Sequence, residues 1–282
     1  MSQIKLAVIG GSGIYKIDSI NIKNRHPVQT PFGEPSADIL ECDIDGHSFY
    51  FLPRHGMGHF LTPSEVNYRA NIFALKKLGV NTIVSISAVG SLQEECAPGD
   101  FVMVDQFIDW TKGLRERSFF GKGFVGHVSA ANPVDKELSH RLYESSLKAG
   151  VTTHKGGSYI CIEGPQFSTK AESQIYRSFG ARVIGMTNVP EAFLAKEAGI
   201  SYATVAMVTD YDCWKEHHCT VQEIMEVMKS NNLSAQKLIK LVVPDLIKNP
   251  VTVVPENEYA VITDSGLLNS NHKEILEVLL KK

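Results

Sequence analysis

Continuous apolar runs that end in glycine or polar residues are the dominant pattern along this chain. They occupy residues 4–9, 82–89 and 202–209, and the first two stop at Gly10 and Gly90. A strand that is apolar on both faces is typical of a parallel sheet with helices on each side. The pattern therefore predicts three buried strands, each followed by a glycine-rich or polar segment.

Shorter strands and helices are predicted between these runs. Asp45-Gly46 is a two-residue hairpin signal between strands at 37–42 and 47–52, and other short strands are predicted at 101–104, 158–162 and 182–185. A helix at 64–78 would begin at Ser64 as N-cap and end at Gly79. Further helices are predicted at 135–149, 169–179, 191–198, 221–241 and 273–281, the second of these opening with a capping box, Thr169-x-x-Glu172. Residues 109–133 show no period and are predicted to form a long loop that is functional or contacts a partner.

The alternation of strands and helices predicts an α/β fold with a mixed, mostly parallel sheet flanked by helices. Neither an internal repeat nor a linker divides the 282 residues, so we expect a single domain spanning 1–282. Ligands of such sheets bind beyond the carboxyl ends of the strands. Residues 10–13, 87–91, 164–168, 185–187 and 209–212 should therefore meet in one composite site.

Composition and charge narrow the function classes. A net charge of −3 without a basic run argues against a nucleic-acid partner, and no stretch is apolar enough to cross a membrane. Five widely spaced cysteines are typical of reduced thiols, so we expect a cytoplasmic protein.

Several polar segments could hold an anion. The sequence Gly-Gly-Ser-Gly at 10–13 follows a strand, but Lys16 stands where a dinucleotide fingerprint requires glycine. The segment therefore forms either an anion-binding turn around Ser12 or a tight turn alone. Arg54-His55 offers a planar fork and a switchable donor, and Ser87 adds a hydroxyl at a strand end. Each of these is also compatible with an ordinary loop or capping residue.

Two carboxylates, Asp210 and Asp212, directly follow the third buried strand. Extended backbone would point both the same way, where a raised pKa lets one donate a proton to a nitrogen heterocycle. An Asx-turn pair is the alternative. The nearby residues Cys213, His217, His218 and Cys219 lack paired metal-ligand spacing, so we expect no metal site. Ser168 has no nucleophile elbow around it.

Five stretches appear in a fixed order over roughly residues 4–240. They lie at 9–13, at 53–56 with 66–71, at 87–91, at 163–168, and at 185–187 continuing to 209–214. Together they resemble the purine-nucleoside phosphorylase family, and within it the branch that acts on 5'-methylthioadenosine. The resemblance implies a twisted mixed sheet and a homotrimer with sites at subunit interfaces.

The resemblance also implies roles for individual residues. Phosphate, a co-substrate rather than a cofactor, would be bound by Ser12, Arg54, His55, Ser87, Ala88 and Thr187. The nucleoside would contact Met186, Phe167, Asp210, Tyr211, Asp212 and, lent by a neighbouring subunit, His127. Ser168 and Val221 would set specificity, with Ile224 and Met225 one turn beyond Val221.

The implied reaction is reversible phosphorolysis of 5'-methylthioadenosine to adenine and 5-methylthioribose 1-phosphate, a step of purine and methionine salvage. Neutral Asp210 would protonate the departing purine at N7, and Asp212 would hold the 6-amino edge. An apolar lining at the 5' end would leave a hydroxyl unpaired and so favour a methylthio group.

Other functions stay open at this point. A broader purine-nucleoside phosphorylase or a methylthioinosine phosphorylase would share most of these residues. A non-catalytic nucleotide sensor or a nicotinamide-dependent oxidoreductase would share the sheet, but the missing fingerprint argues against nicotinamide dinucleotide binding.

Overall fold

One sheet joins the eleven strands found in the described residues, which are 4–11, 20–215 and 220–281 of a computed structural model. The strands are β1 (Leu6–Gly10), β2 (Asn21–His26), β3 (Ile39–Ile44), β4 (His47–Pro53), β5 (Thr82–Ser91), β6 (Phe101–Met103), β7 (Gln106–Trp110), β8 (Thr153–Lys155), β9 (Ser158–Ile162), β10 (Ala181–Gly185) and β11 (Ser201–Tyr211). Their order is β2-β3-β4-β1-β5-β10-β9-β7, and β11 pairs with β5 and with β6, which in turn pairs with β8.

Parallel pairing dominates the centre of the sheet. β1 lies parallel between β4 and β5, and β11 runs parallel to β5 along almost its whole length. Antiparallel pairing occurs in the β2-β3-β4 meander, between β6 and β11, and where the end of β5 meets β10. The predicted α/β class with a mixed, mostly parallel sheet is confirmed.

The β3–β4 hairpin turns at the two predicted residues. Asp45 and Gly46 have φ of 51° and 80°, the left-handed pair that a tight two-residue turn requires. The Asp43 carboxylate accepts a hydrogen bond from the Gly46 amide at 3.0 Å, which fixes the turn further.

Helices cover both faces of the sheet. They are α1 (Tyr68–Lys77), α2 (Lys136–Lys148), α3 (Lys170–Ser178), α4 (Asn188–Glu197), α5 (Val221–Lys248) and α6 (Ser270–Leu279). Among the described helices, none has the length and apolar character to cross a membrane.

Alternate residues of the central strands supply the two cores. Val8 of β1 packs into the core under α2 and α5, whereas Ala7 and Ile9 pack into the core under α1, α4 and α6. This period of two explains why both-face apolar runs are needed at the centre of the sheet. The parallel pairing of β1 and β11 with β5 places the carboxyl ends of these three strands side by side.

Several predicted helix bounds are wrong. α1 begins at Tyr68, because the side chain of Asn67 caps it by accepting from the Ala70 amide. Ser64, the predicted cap, instead donates to the carboxylate of Glu163. The capping box at Thr169 is confirmed for α3.

The remaining helices differ from prediction at their ends. α5 continues to Lys248 in spite of Pro244, because Val242, Val243 and Leu246 are buried against the sheet and hold the last turns in place. α4 begins earlier than predicted, at Asn188, and α6 begins earlier, at Ser270. The last helix ends at Leu279 rather than at 281.

Three strands escaped the sequence pattern. β2 and β8 are short or exposed strands near the sheet margins, where backbone pairing rather than side-chain burial defines the strand. β7 pairs in parallel with β9, so the long loop begins after Trp110 and not at 109. A strand at the margin buries few side chains, and its hydrophobic signal is correspondingly weak.

Candidate active site

A cavity of about 270 Å³ opens at the carboxyl ends of β1, β5, β10 and β11. The structure brings residues of all five predicted segments to its wall, among them Gly11, Ser87, Phe167, Thr187 and Asp210. The remainder of the first segment, including Ser12, lies outside the described residues. A composite cavity at this edge agrees with the general rule for open α/β sheets.

Gly90 lets β5 approach the acidic end of β11. It pairs with Asp210 in the sheet, and a Cβ at Gly90 would lie 3.4 Å from Asp210 Oδ2 and 3.5 Å from Asp212 Cβ. The nearest atom, Ile184 Cγ2, would be only 3.1 Å away. A side chain at this position would therefore crowd Ile184 and occupy the space beside the two aspartates.

Asp210 is held in a largely water-shielded position at the cavity wall. Burial, with a smaller contribution from the nearby Asp212, raises the pKa of its carboxyl to about 6, against a hydrogen bond from Thr209 that lowers it. Thr209 Oγ1 lies 2.7 Å from Asp210 Oδ1 and 3.1 Å from the Val89 carbonyl. Because the hydroxyl can turn between these two oxygens, it stabilises Asp210 both as a carboxylate and as a protonated acid.

Asp212 lies beside Asp210 at the end of β11 and lines the same cavity. Burial raises the pKa of its carboxyl, while the hydroxyls of Ser173 and Ser168 lower it. Its backbone amide donates to the Ser91 carbonyl at 3.0 Å, which keeps the chain extended past the end of the strand. The two carboxylates therefore share a face of the cavity in different surroundings.

The hydroxyls of Ser87 and Thr187 form another part of the cavity wall. Ser87 Oγ lies 3.3 Å from Thr187 Oγ1 and 3.4 Å from the hydroxyl of the fully buried Tyr159. The Thr187 amide donates to the same Tyr159 oxygen at 3.4 Å. Gly185 makes room for this ring, since a Cβ there would lie 2.0 Å from the tyrosine oxygen.

The guanidinium of Arg54 is not the open fork that the sequence suggested. Glu191 accepts from its Nε at 2.7 Å and from its Nη2 at 2.9 Å, and both side chains are 1% exposed. Ser85 Oγ accepts from Nη2 at 2.6 Å, and the Ile86 carbonyl accepts from Nη1 at 3.0 Å. Four of the five N–H donors that an arginine has are thus satisfied by protein, which leaves a single donor on Nη1.

His55 lines the cavity next to Arg54 and is neutral. Its Nδ1 donates to the Leu61 carbonyl at 2.9 Å, and its ring stacks on His59 at 4.3 Å between centroids. Burial, together with the Arg54 charge, lowers its pKa to about 4. With Arg54 compensated by Glu191 and His55 neutral, this corner of the cavity holds little net positive charge.

Comparison with known proteins places the chain in a family. The model of the phosphorylase superfamily matches residues 5–244. The chain belongs to the phosphorylase superfamily.

Relatives within the phosphorylase superfamily share one name. S-methyl-5'-thioadenosine phosphorylase of Geobacter sulfurreducens is 48% identical over 283 residues, with 99% of each chain covered. The enzyme of the same name from Rhodospirillum rubrum is 52% identical over 256 residues, covering 90% of this chain and 86% of its own.

Solved structures of the superfamily share the fold. A methylthioadenosine phosphorylase from an antarctic soil metagenomic library has a TM-score of 0.94 at 44% identity, with 100% of both chains covered. A variant of the adenosine/methylthioadenosine phosphorylase of Schistosoma mansoni, in complex with methylthioadenosine, has a TM-score of 0.82 at 37% identity, covering 88% of this chain and 93% of that one.

Most residues singled out in the sequence line the cavity of this superfamily member. They are Arg54, His55, Ser87, Ala88, Phe167, Ser168, Met186, Thr187, Asp210 and Asp212. Gly164 makes room for Met186. Its φ of 69° suits glycine, and a Cβ added at this position would lie 2.5 Å from the Met186 sulfur. Phe167 is 63% exposed at the rim.

Three singled-out residues do not line the cavity. The Tyr211 hydroxyl donates to the Glu94 carbonyl at 3.1 Å, and its ring packs against Trp214. The backbone of His127 donates to the Ala260 carbonyl at 2.8 Å, in the long loop. Val221 is 67% exposed at the first turn of α5.

Residues that the sequence did not single out complete the wall. From α5 these are Met228 and Asn232, and His59 adds a second imidazole; Ile224, which the resemblance had already named beside Val221, also lines the cavity, whereas Met225 does not. Met228 and Asn232 follow Ile224 at intervals of four residues, so the three side chains lie on the same side of the helix. This spacing would have identified them if the side of α5 that faces the cavity had been known. Neither the Glu191 partner of Arg54 nor Tyr159 gave a local sequence signal.

In the described parts of the chain, no group of three or more His, Cys, Asp or Glu side chains is arranged to hold a metal ion. The pair His217-His218 and Cys219 lie outside those residues. Cys213 instead donates from Sγ to the Ser168 carbonyl at 3.1 Å.

Proposed function

We propose that this protein catalyses the reversible phosphorolysis of 5'-methylthioadenosine to adenine and 5-methylthioribose 1-phosphate. The observation that carries the proposal is the meeting of Asp210 and Asp212 with the hydroxyls of Ser87 and Thr187 in one cavity. One side of that cavity offers an acid and an acceptor for a purine, and the other offers donors for phosphate. Relatives named for this activity along nearly the whole chain support it.

The phosphate subsite consists of neutral donors beside one compensated cation. Ser87 and Thr187 provide hydroxyls, Ala88 provides its amide, and Arg54 provides its remaining Nη1 donor. Ser12 is proposed to add a hydroxyl. Backbone amides and hydroxyls suit an anion that has to be held and then transferred, because they bind it without a full opposing charge.

His55 requires a different role from the switchable donor that its sequence position suggested. With Nδ1 donating to Leu61 and the ring neutral, Nε2 carries a lone pair and accepts hydrogen bonds. A phosphate hydroxyl or an ordered water is the complementary donor.

Asp210 is proposed to be the general acid at purine N7. Displacement at the anomeric carbon leaves negative charge on the departing base, and a donor at N7 stabilises that charge in the transition state. A pKa raised to about 6 keeps a useful protonated fraction near neutrality, and a bound nucleoside would exclude water and raise it further. The turning hydroxyl of Thr209 accommodates the carboxyl before and after proton transfer.

Asp212 is proposed to accept from the exocyclic amine of adenine. A carboxylate repels the O6 carbonyl of a 6-oxopurine, so the pair favours 6-aminopurines. Phe167 at the rim would pack on the base and Met186 under the ribose, while Tyr211 would act only through the strand backbone and Trp214.

The 5' group is proposed to contact α5. Ile224 and Met228 give this end of the cavity an apolar wall, with Asn232 nearby. An apolar wall suits a methylthio group and leaves a 5'-hydroxyl without a partner. We propose that Ile224 carries more of this selectivity than Val221, with Ser168 contributing at the base end.

The decisive experiment is release of adenine from 5'-methylthioadenosine with and without phosphate. Adenine should appear only when phosphate is present, together with equimolar 5-methylthioribose 1-phosphate. Release at the same rate without phosphate would identify a hydrolase instead. Adenosine, inosine and methylthioinosine at equal concentration then separate this activity from a broader nucleoside phosphorylase.

Adenosine is the second candidate substrate, because one solved relative is named for both nucleosides and Asn232 places an amide in the cavity wall. A kcat/KM for adenosine within about tenfold of that for methylthioadenosine would assign both. Turnover of inosine at a comparable rate would contradict the proposed role of Asp212.

A homotrimer whose neighbouring subunit lends His127 is proposed as the working assembly. His127 lies away from this subunit's cavity, and apolar side chains near the cavity and on the long loop are exposed, including Leu114 at 74% and Val221 at 67%. Exposed apolar groups of this kind mark surfaces that are covered in an assembly. Light scattering after gel filtration should give three times the mass of 31.1 kDa.

We also propose that residues 1–282 form one nucleoside phosphorylase domain acting in the cytoplasm on small molecules, without a cofactor. The shared sheet supports the first part of this proposal. The free thiols of Cys42, Cys96, Cys161 and Cys213 support the reducing compartment.

A further inference from the structure

An arginine from the long loop is buried behind the cavity. Arg115 is 1% exposed in its side chain, and it does not line the cavity itself. Its Nη1 donates to the carbonyls of Met186 at 2.6 Å and Val189 at 2.7 Å. Its Nη2 donates to the Glu163 carbonyl at 2.8 Å, and its Nε donates to Glu163 Oε1 at 3.0 Å.

The acceptors of Arg115 are the chain segments that shape the cavity. Met186 and Val189 flank Thr187, at a helix start where Val189 departs from helical geometry with φ of −116° and ψ of 125°. The carbonyl of such a residue is not committed to a regular helix ladder, and the guanidinium satisfies it.

Glu163 extends the same arrangement to two more segments. Its carboxylate accepts from the Lys112 amide at 2.6 Å and from the hydroxyl of Ser64, next to the cavity residue Pro63. Tyr68 also contacts Arg115: the centre of its aromatic ring lies 5.6 Å from the guanidinium carbon. We call residues 64, 112, 115 and 163 the Arg115 cluster.

A buried ion pair of this kind has few alternative arrangements. Both charges are removed from water, so each donor and acceptor that loses its partner carries a large desolvation cost. The cluster therefore holds its four segments at fixed separations, as supporting hydrogen bonds do around a catalytic centre. Thr187 lies between two of the fixed carbonyls.

We infer that Arg115 is a positioning residue for phosphate binding. By fixing the carbonyls of Met186 and Val189, it orients the hydroxyl of Thr187 beside Ser87 in the phosphate subsite and couples the long loop to that subsite. This inference rests on the proposed phosphorolysis, because it assigns Thr187 to phosphate.

The test compares Arg115→Met with Arg117→Met in the full-length protein, below the melting temperature of each. Arg117 is the matched control, since it lies two residues away on the same loop, is 48% exposed and, within the described residues, forms its ion pair with Asp109 at the surface. Arg115→Met should raise the KM for phosphate about 10- to 100-fold, because small misplacements of binding groups cost about that much. The KM for the nucleoside should change much less, and Arg117→Met should match the wild type.

A purely structural role predicts a different pattern. Arg115→Met would then lower the melting temperature and the active fraction, and so kcat, with both KM values unchanged; that result overturns the inference. If Arg115→Met does not fold, Arg115→Lys replaces it: it keeps the charge but not the planar set of donors, so phosphate KM should stay at least about tenfold high. A phosphate KM equal to wild type in Arg115→Lys overturns the inference as well.

The wild-type assay separates this inference from the proposed function. If the wild type releases no adenine in the presence of phosphate, the proposed function fails. If it does and the variants keep a wild-type phosphate KM, only the positioning role of Arg115 fails. Titration calorimetry with inorganic phosphate compares the phosphate affinity of the variants with that of the wild type without turnover.

Discussion

Replacing Asp210 with asparagine should stabilise the folded protein at neutral pH while removing the proposed acid. The folded carboxyl has its pKa raised from 3.8 to about 6. A carboxyl with a raised pKa binds its proton more tightly in the folded than in the unfolded chain, so ionisation opposes folding. The free-energy cost of ionised Asp210 to folding is absent at a pH below the unfolded pKa. It grows as the pH rises from 3.8 to about 6 and is constant at higher pH.

The magnitude follows from that window. Each pKa unit corresponds to about 1.4 kcal/mol, so ionised Asp210 costs about 3 kcal/mol above the window. Asparagine has nearly the same shape and no charge, but it accepts a weaker hydrogen bond from Thr209, which offsets about 1 kcal/mol. A net gain of about 2 kcal/mol should raise the melting temperature by about 4–8 °C in a chain of this size.

Thermal unfolding of both proteins at about pH 7.5 and about pH 4 measures this effect. The gain of Asp210→Asn should be present at the higher pH and nearly absent at the lower one. Asp43→Asn is the control of opposite sign, because a hydrogen bond from Lys23 lowers the pKa of the Asp43 carboxyl; it should not stabilise the protein at the higher pH.

Adenine release by Asp210→Asn should fall at least about 100-fold, the range for loss of a general acid. A variant that melts below wild type at neutral pH, or gains equally at both pH values, would refute the argument from burial. Undiminished turnover would remove Asp210 as the acid while leaving the stability argument intact.

Four further substitutions test other contacts. Gly90→Ala should fold but lose about tenfold in kcat/KM for the nucleoside, because the new Cβ crowds the cavity residue Ile184 at 3.1 Å and fills space beside Asp210; wild-type kinetics would show that the strands adjust freely. Ile224→Thr should lower kcat/KM for methylthioadenosine about tenfold in the adenine assay, and Val221→Thr should change it less than about twofold; the reverse order would favour the sequence-based assignment. Glu191→Gln should lower the free energy of unfolding in denaturant titration by about 3 kcal/mol, since Arg54 would keep a buried charge without its counterion; an unchanged midpoint would show that water reaches the pair.

Local patterns in the sequence were sufficient for much of the architecture. The apolar runs at 4–9, 82–89 and 202–209 mark strands that need burial on both faces, and the structure contains them as β1, β5 and β11. The Asp45-Gly46 turn and the Thr169 capping box are local as well, because turn conformation and helix capping depend on residues within a few positions. The rule that ligands bind beyond the carboxyl ends of the strands predicted the segments that meet at the cavity, and the family resemblance added roles for their residues.

The side of a helix that faces the cavity and the residues at which helices end were harder to predict from the sequence. Val221 and Ile224 are both apolar and lie on the same first turns of α5, yet only Ile224 lines the cavity. The direction in which a helix presents its side chains depends on how it packs on the sheet. The pattern of apolar positions alone did not show which side of α5 faces the cavity. The same packing carries α5 past Pro244.

The sequence by itself determined the positions of the buried strands, the turns and the identity of the polar groups near the strand ends. The tertiary structure alone decided what those groups can do. The guanidinium of Arg54 donates to Glu191, 137 positions away, instead of offering a pair of donors to a ligand. Asp210 acquires its raised pKa from burial beside Asp212. Charge compensation and desolvation depend on neighbours brought together by folding, and a sequence records neither the neighbour nor the water that it displaces.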